Sequence, residues 1–246
     1  MVYAAVLAGG VGKRMQRNDL PKQFLPLGKK CVLTHTTERF IINPNIHKVL
    51  VAVPKDWLTY TQNLFSNDYV LNNNAGKIEI VPGGSDRNAS LMAVVNSIEM
   101  KNKIADDDII VSHDAVRPFI TQRIINENID ECIKYGAVNT VFPISDTPVV
   151  SEDGETIMEI PVRSKVFLSQ TPQTFNIRLL KEVYASLTDP EKNILTDACK
   201  MFVIKHKTVR MVMGESCNLK ITTPFDYIVA SAFIKDGGSP ECCFER

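Results

Sequence analysis

The chain has 246 residues, of which 44% are apolar and 23% charged, proportions ordinary for a globular protein. Lys and Arg together number 28, as do Asp and Glu, so the formal net charge is zero. No global field favours nucleic acid or an anionic membrane, and an anion site must be a local concentration of cations.

The cysteines, Cys31, Cys132, Cys199, Cys217, Cys242 and Cys243, are scattered and form no Cys-x-x-Cys pair. Free thiols in a reducing cytosol are expected, rather than a disulfide framework or a zinc site. No cationic segment precedes the first apolar run, and Val2–Ala8 is too short to span a membrane. A cytoplasmic protein that engages no membrane is expected.

Val2–Ala8 reads as a buried strand, because its apolar run is stopped by glycine. A helix follows over Leu33–Ile42 and ends before Pro44. Lys48–Val53 and Lys77–Val81 read as strands, each stopped by proline. Ser90–Glu99 has helical spacing, with Leu91, Val94, Val95 and Ile98 on one face. Asp108–Ser112 is a further strand, Thr121–Lys134 an amphipathic helix and Ala137–Ile144 a fifth strand. Alternation of this kind predicts an α/β protein with a mostly parallel sheet and right-handed crossovers. Residues 145–174 break the pattern. They read as a β-hairpin arm with an Asp153-Gly154 turn, which packs on another subunit. Phe175–Leu187 and Pro190–Ile204 return to helical character, Arg210–Met213 is a late strand and Pro224–Ile234 the closing helix. Residues 1–236 are read as one domain and Gly237–Arg246 as a disordered tail.

In such a sheet, ligands bind outside the carboxyl ends of the strands. Three unusual stretches fall there: Gly9-Gly10-Val11-Gly12-Lys13-Arg14, Gly83-Gly84, and His113-Asp114. The first is not a Walker A loop, since Leu7 stands where that motif needs glycine and Arg14 where it needs Ser or Thr. Nor is it a dinucleotide fingerprint, whose third glycine is replaced by Met15. Two readings stay open for the turn alone: an ordinary tight turn with solvated cations, or a backbone cradle for phosphate reinforced by Lys13, Arg14 and Lys22.

The pattern Leu7-Ala-Gly-Gly-x-Gly-x-Arg14-Met15, continued by Pro21-Lys22-Gln23-Phe24, resembles the signature of the sugar-phosphate and polyol-phosphate cytidylyltransferases. Gly83-Gly84-Ser85-Asp86-Arg87-Asn88-x-Ser90 looks like that family's cytosine-binding loop. His113–Phe119, Asp146-Thr147, Arg163, Thr171-Pro172-Gln173, Thr196-Asp197 and Asn218–Thr222 follow in the family's order. The resemblance implies a Rossmann-like, nucleotide-diphospho-sugar transferase fold with a protruding arm that makes a homodimer. It implies transfer of a cytidylyl group from CTP, with Mg²⁺, to a polyol phosphate. Two branches compete. Ser85, Ile160–Arg163, Gln170–Asn176 and Ile194–Lys200 look like the branch that makes CDP-ribitol from ribitol 5-phosphate for wall teichoic acid, which is the preferred reading. The alternative is the methylerythritol 4-phosphate branch of isoprenoid synthesis.

By the same resemblance, Arg14, Lys22 and Lys220 are catalytic. Leu7, Ala8, Gly9, Gly10, Gly12, Gly84, Ser85, Arg87, Ser90 and Asp114 bind CTP, and Asp114 is also the metal ligand. Thr147, Arg163, Thr171 and Thr196 bind the polyol phosphate, the arm residues reaching across the dimer. His113 is expected to make a structural hydrogen bond, and Arg117 to tie the fold. Two other classes remain as alternatives: a non-catalytic nucleotide-binding protein, and a nicotinamide-dependent dehydrogenase disfavoured by Met15.

Overall fold

The computed structural model describes residues 1–9 and 20–238. Gly10, Gly12 and Arg14, and residues 239–246 of the expected tail, lie outside the described residues. In chain order the elements are β1 (Val2–Leu7), β2 (Pro26–Leu27), β3 (Lys30–Cys31), α1 (Val32–Ile41), β4 (Lys48–Val53), α2 (Leu58–Ser66), α3 (Tyr69–Asn73), β5 (Ile78–Pro82) and α4 (Arg87–Lys101). They continue with β6 (Ile109–Asp114), α5 (Gln122–Tyr135), β7 (Ala137–Pro143), β8 (Phe167–Asn176), α6 (Ile177–Ala185), α7 (Asp189–Asn193), α8 (Ala198–Ile204), β9 (Arg210–Met213) and α9 (Pro224–Lys235).

The main sheet has the order β5-β4-β1-β6-β8-β7-β9. All pairs are parallel except those of β8, which runs against both β6 and β7. The expected α/β sandwich is therefore present. β1 is buried on both faces because successive side chains point to opposite sides of the sheet. Ala4 and Val6 join Leu33 and Phe40 of α1 and Ile124, Ile125 and Ile129 of α5. Tyr3, Ala5 and Leu7 join Leu91, Val94 and Val95 of α4 and Phe202 of α8 on the other side. A smaller cluster of Leu27, Val32, Val116, Phe119, Ile221 and Ala230 seats α9 beside β2 and β3. Among the described residues, no helix is long and apolar enough to cross a membrane.

Three expectations need correction. The arm is shorter than residues 145–174, because Phe167–Asn176 is β8, an interior strand. Helix α6 accordingly starts at Ile177, after the Asn176 cap, and not at Phe175. The stretch Pro190–Ile204 is two helices, interrupted where Asp197 turns its carboxylate back to cap α8. Helices α2 and α3 add to the pattern read from the sequence. What remains of the arm, residues 144–166, has one bridge, Val150 to Glu159, on either side of the Asp153-Gly154 turn. Gly154 has a φ of +77°, a backbone conformation favourable to glycine.

Phe175 marks β8 as part of the core: it is fully buried and its ring stacks on that of Phe202, with centroids 5.0 Å apart. Phe175→Ala is expected to destabilise the protein by about 3–5 kcal/mol, the usual cost of deleting a buried phenyl ring. Urea unfolding checks this; a loss under about 1 kcal/mol would contradict the interior position of β8.

Candidate functional site

The carboxyl ends of β1, β5 and β6 open on one cleft of about 310 Å³. Its walls are Leu7, Ala8 and Gly9 after β1, Lys22 and Gln23, the loop Gly84–Arg87 with Ser90, the residues Asp114–Val116 after β6, and Lys220. Every described residue expected to be catalytic or to bind CTP lines this cleft. The strand register explains part of this, since Leu7 of β1 is paired with Asp114 of β6.

Each wall is fixed locally. Gln23 is buried and its amide donates to the Ala8 carbonyl (2.7 Å), which ties the Lys22 segment to the end of β1. In the β5–α4 loop, Asp86 caps α4 by accepting from the Ala89 N–H (2.9 Å). The Ser90 hydroxyl donates to the Asp86 carbonyl (2.8 Å) and accepts from the Gly84 N–H (3.0 Å). Gly84 lies so close to α4 that a Cβ there would come within 2.6 Å of Ala89 backbone carbon, so no larger residue fits without movement. Lys220 is brought opposite by the Ile221 N–H, which donates to the Val116 carbonyl (2.9 Å).

Asp114 is the electrostatic centre. It is 7% exposed, with Arg87 Nε 3.0 Å from Oδ1, Lys220 Nζ 2.8 Å from Oδ2 and Arg117 Nε 3.9 Å from Oδ2. Burial by itself would push its carboxyl up, but Arg87, Lys220 and Arg117 outweigh burial and hold it well below the usual carboxylate range. The carboxylate is therefore charged at any physiological pH. Lys22, Arg87 and Lys220 line the cleft against Asp86 and Asp114, with Arg117 behind, so the cleft carries a local excess of positive charge in a chain of zero net charge.

Behind Asp114 lies a buried relay. The Asp114 N–H donates to Thr171 Oγ1 (3.1 Å), and Thr171 Oγ1 meets His113 Nδ1 (3.0 Å). His113 Nε2 meets the Arg117 carbonyl (3.1 Å). A carbonyl only accepts, so the proton sits on Nε2 and Nδ1 accepts from the threonine. Both ring nitrogens are used, and burial pushes the imidazole down to about 4. His113 is thus a neutral structural residue, as expected. Arg117 also serves the fold, donating from Nη1 to the Asn218 carbonyl (2.7 Å).

The residues expected to bind the polyol phosphate are dispersed. Thr171 is buried and its hydroxyl is committed to the relay. Thr147 and Thr196 are exposed and do not line the cleft of this chain. Arg163 is exposed on the arm, with Nη1 donating to the Ser145 carbonyl (3.1 Å). Gln23 and Gln173 are site residues that no charge or glycine pattern singled out. Gln173 is buried and accepts from Arg87 Nη1 (3.0 Å).

A divalent cation fits here in one manner. Among the described residues, no group of three or more His, Cys, Asp or Glu is assembled. Asp114 is one buried hard oxygen donor among the cations of the cleft, a donor set suited to Mg²⁺ carried in on phosphates that supply most of its shell.

The family model of 2-C-methyl-D-erythritol 4-phosphate cytidylyltransferase (IspD) matches residues 2–236. The 4-diphosphocytidyl-2C-methyl-D-erythritol synthase of Anaerococcus prevotii is 26% identical, with a TM-score of 0.77 over 95% of this chain and 96% of that one. The 2-C-methyl-D-erythritol 4-phosphate cytidylyltransferase of Thermus thermophilus is also 26% identical, with a TM-score of 0.71 over 96% and 100% of the two chains. That of Francisella tularensis, at 24% identity, shares the fold with a TM-score of 0.74 over 94% and 98%.

The neutral histidine has a consequence for stability. Its folded pKa, about 4, lies below the ordinary 6.5, so below pH 6.5 the unfolded chain takes up a proton that the folded chain refuses. This contribution should make stability fall by about 1.4 kcal/mol per pH unit as pH drops from 6.5 toward 4, and level off below. Urea titrations at stepped pH check it. In His113→Gln this part of the slope should vanish, and equal slopes in both proteins would refute the neutral buried imidazole.

Proposed function

We propose that this chain, which belongs to the 2-C-methyl-D-erythritol 4-phosphate cytidylyltransferase family, transfers the cytidylyl group of CTP to 2-C-methyl-D-erythritol 4-phosphate and releases pyrophosphate. The family is one of nucleotidyltransferases. The observation that carries the reading to this chain is the cleft itself: Asp114 is held among Arg87, Arg117 and Lys220 where β1, β5 and β6 end, inside the matched residues. The ribitol 5-phosphate acceptor preferred from the sequence becomes the second reading. The comparisons name methylerythritol phosphate proteins, whereas Ser85 and the stretches Ile160–Arg163, Gln170–Asn176 and Ile194–Lys200 still look ribitol-like.

The acceptor phosphate is already an anion near neutral pH, so its oxygen attacks the α-phosphorus of CTP without a general base. The obstacle is to bring two anions together and to stabilise charge as the bond to pyrophosphate breaks. Positioning and fixed positive charge meet it. In this reading the Gly84–Ser90 loop receives the base, and Gly9 lets the chain approach the phosphates. Lys22 and, by the resemblance, Arg14 would clamp the triphosphate, with Lys220 closing from the opposite side. Asp114 would hold Mg²⁺, which when bound neutralises the phosphate chain. His113 takes no part in proton transfer, since both its nitrogens are engaged.

The arm completes the proposal. Its exposed Val149, Ile157, Met158, Ile160 and Val162 fit burial against a second copy, and Thr147 and Arg163 would then read the acceptor in the partner's cleft. A monomeric mass by light scattering at micromolar concentration would count against this arrangement.

The deciding experiment is pyrophosphate release with CTP and Mg²⁺, run in parallel with the two polyol phosphates. Turnover with methylerythritol phosphate alone is expected; turnover with ribitol 5-phosphate alone would transfer the assignment to the second reading, and release with neither would overturn both. In the same assay, Lys22→Ala should lose about 3–4 kcal/mol of transition-state stabilisation, read in kcat. Near-wild-type turnover would remove Lys22 from the clamp.

A further inference from the structure

Gln173 is 1% exposed on β8, the strand of the main sheet that runs against both its neighbours. In the register it faces Ser112 of β6 on one side and Asn139 of β7 on the other. Its Oε1 accepts from Arg87 Nη1 (3.0 Å) and from the Ala198 N–H at the start of α8 (3.4 Å). Both partners can only donate, which fixes the orientation of the amide. Its Nε2 therefore points the other way, donating to Asn139 Oδ1 (3.3 Å).

The chain of contacts continues in both directions. Arg87 uses Nε on Asp114 and Nη1 on Gln173, and its buried Nη2 has no partner in the described structure. On the far side, the Asn139 amide donates to Ser169 Oγ (3.1 Å), and the one Ser169 hydroxyl proton goes either back to Asn139 Oδ1 (3.2 Å) or on to Asp197 Oδ2 (3.4 Å). Asp197 caps α8 and follows Thr196. A continuous polar line thus runs from the carboxylate in the cleft to the start of α8, and Gln173 is its junction. One atom, Oε1, holds both a cleft guanidinium and the first N–H of α8. Deletion of that atom would free Arg87 to rotate about its bond to Asp114 and leave two buried donors without an acceptor.

We propose that Gln173 is a positioning residue for cytidylyl transfer, setting the plane of Arg87 against Asp114 and fixing the Thr196–Ala198 turn relative to it. The role rests on the transferase reading above and deepens it. It does not touch substrate; it acts through Arg87 on the nucleotide side and through the α8 start on the other.

Gln173→Met keeps the volume and removes both amide functions, while Gln173→Glu keeps an acceptor for Arg87 and Ala198. The Met variant should lose on the order of 10- to 100-fold in kcat/KM, the usual effect of one charged hydrogen bond, and bind CTP correspondingly more weakly by calorimetry. The Glu variant should recover most of both. Met kinetics and CTP affinity within about twofold of wild type, or a Glu variant as impaired as Met, would overturn the role. If the Met variant fails to fold, the Glu variant is paired with Arg87→Lys, whose point charge cannot bridge Asp114 and Gln173. Arg87→Lys should then show the same loss, and wild-type parameters there would sink the proposal. A wild-type chain that releases no pyrophosphate with either acceptor defeats the transferase reading; the positioning role is then decided on CTP affinity alone, by the same Met and Glu contrast.

Discussion

A single buried carboxylate organises the cleft. Asp114 ends β6, where little water reaches it, and an isolated charge there would be expensive. Three cations from three separate elements make it tolerable: Arg87 from the start of α4, Arg117 from the turn after β6, and Lys220 from the loop before α9. The dependence is mutual. Each long cationic side chain loses conformational freedom when it is held, and Asp114 is the group that holds it. In the proposed transfer, a triphosphate would meet cations that Asp114 already holds in place, so little reorganisation is left for the moment of reaction.

The support for this arrangement is polar, which is why sequence reading passed over part of it. The apolar runs of β1 and β4 and the helical stripes of α4 and α5 were legible, because apolar burial leaves a period of 2 or 3.6 in the sequence. So was the cleft, since glycine and charge collect at strand ends. β8 leaves no such trace. Its buried side chains include Gln170, Thr171, Gln173 and Thr174, and it contains Pro172. Each finds a partner far away in sequence: Gln170 with the Glu215 carbonyl, Thr171 with His113, Gln173 with Arg87, Thr174 with Asn128. A strand stabilised in this way resembles a loop until its partners are known. Pro172 alone argues against an interior strand; the break in register between Asn139 and Val141 of β7, opposite it, is how the ladder accommodates the proline.

Helices α7 and α8 went unseparated for a related reason. Their junction is marked only by Asp197, whose cap on Lys200 N–H (2.9 Å) is a local contest between side chain and helix backbone. Helix α2 buries little beyond Thr61 and Phe65, too few positions for a period to emerge.

In the proposed reading, nucleotide chemistry and acceptor choice are carried by separate parts of this chain, and this governs what similarity can say about the acceptor. In the proposed reaction, the described residues that line the cleft answer to what every acceptor has in common, an attacking phosphate, and to the triphosphate of CTP. The arm residues Thr147 and Arg163 stand in solvent, away from the cleft lining. If a second copy brings them to the acceptor, discrimination rests on a few hydrogen bonds to hydroxyl groups, made by a segment with little internal structure of its own. A linear five-carbon polyol and a branched four-carbon one differ in hydroxyl placement and in one methyl branch. A site built to pair a hydroxyl rejects a ligand that lacks it strongly, whereas extra or missing carbon is rejected weakly. In that proposed arrangement the polar groups of the arm, more than the fold or the cation cluster, carry the choice.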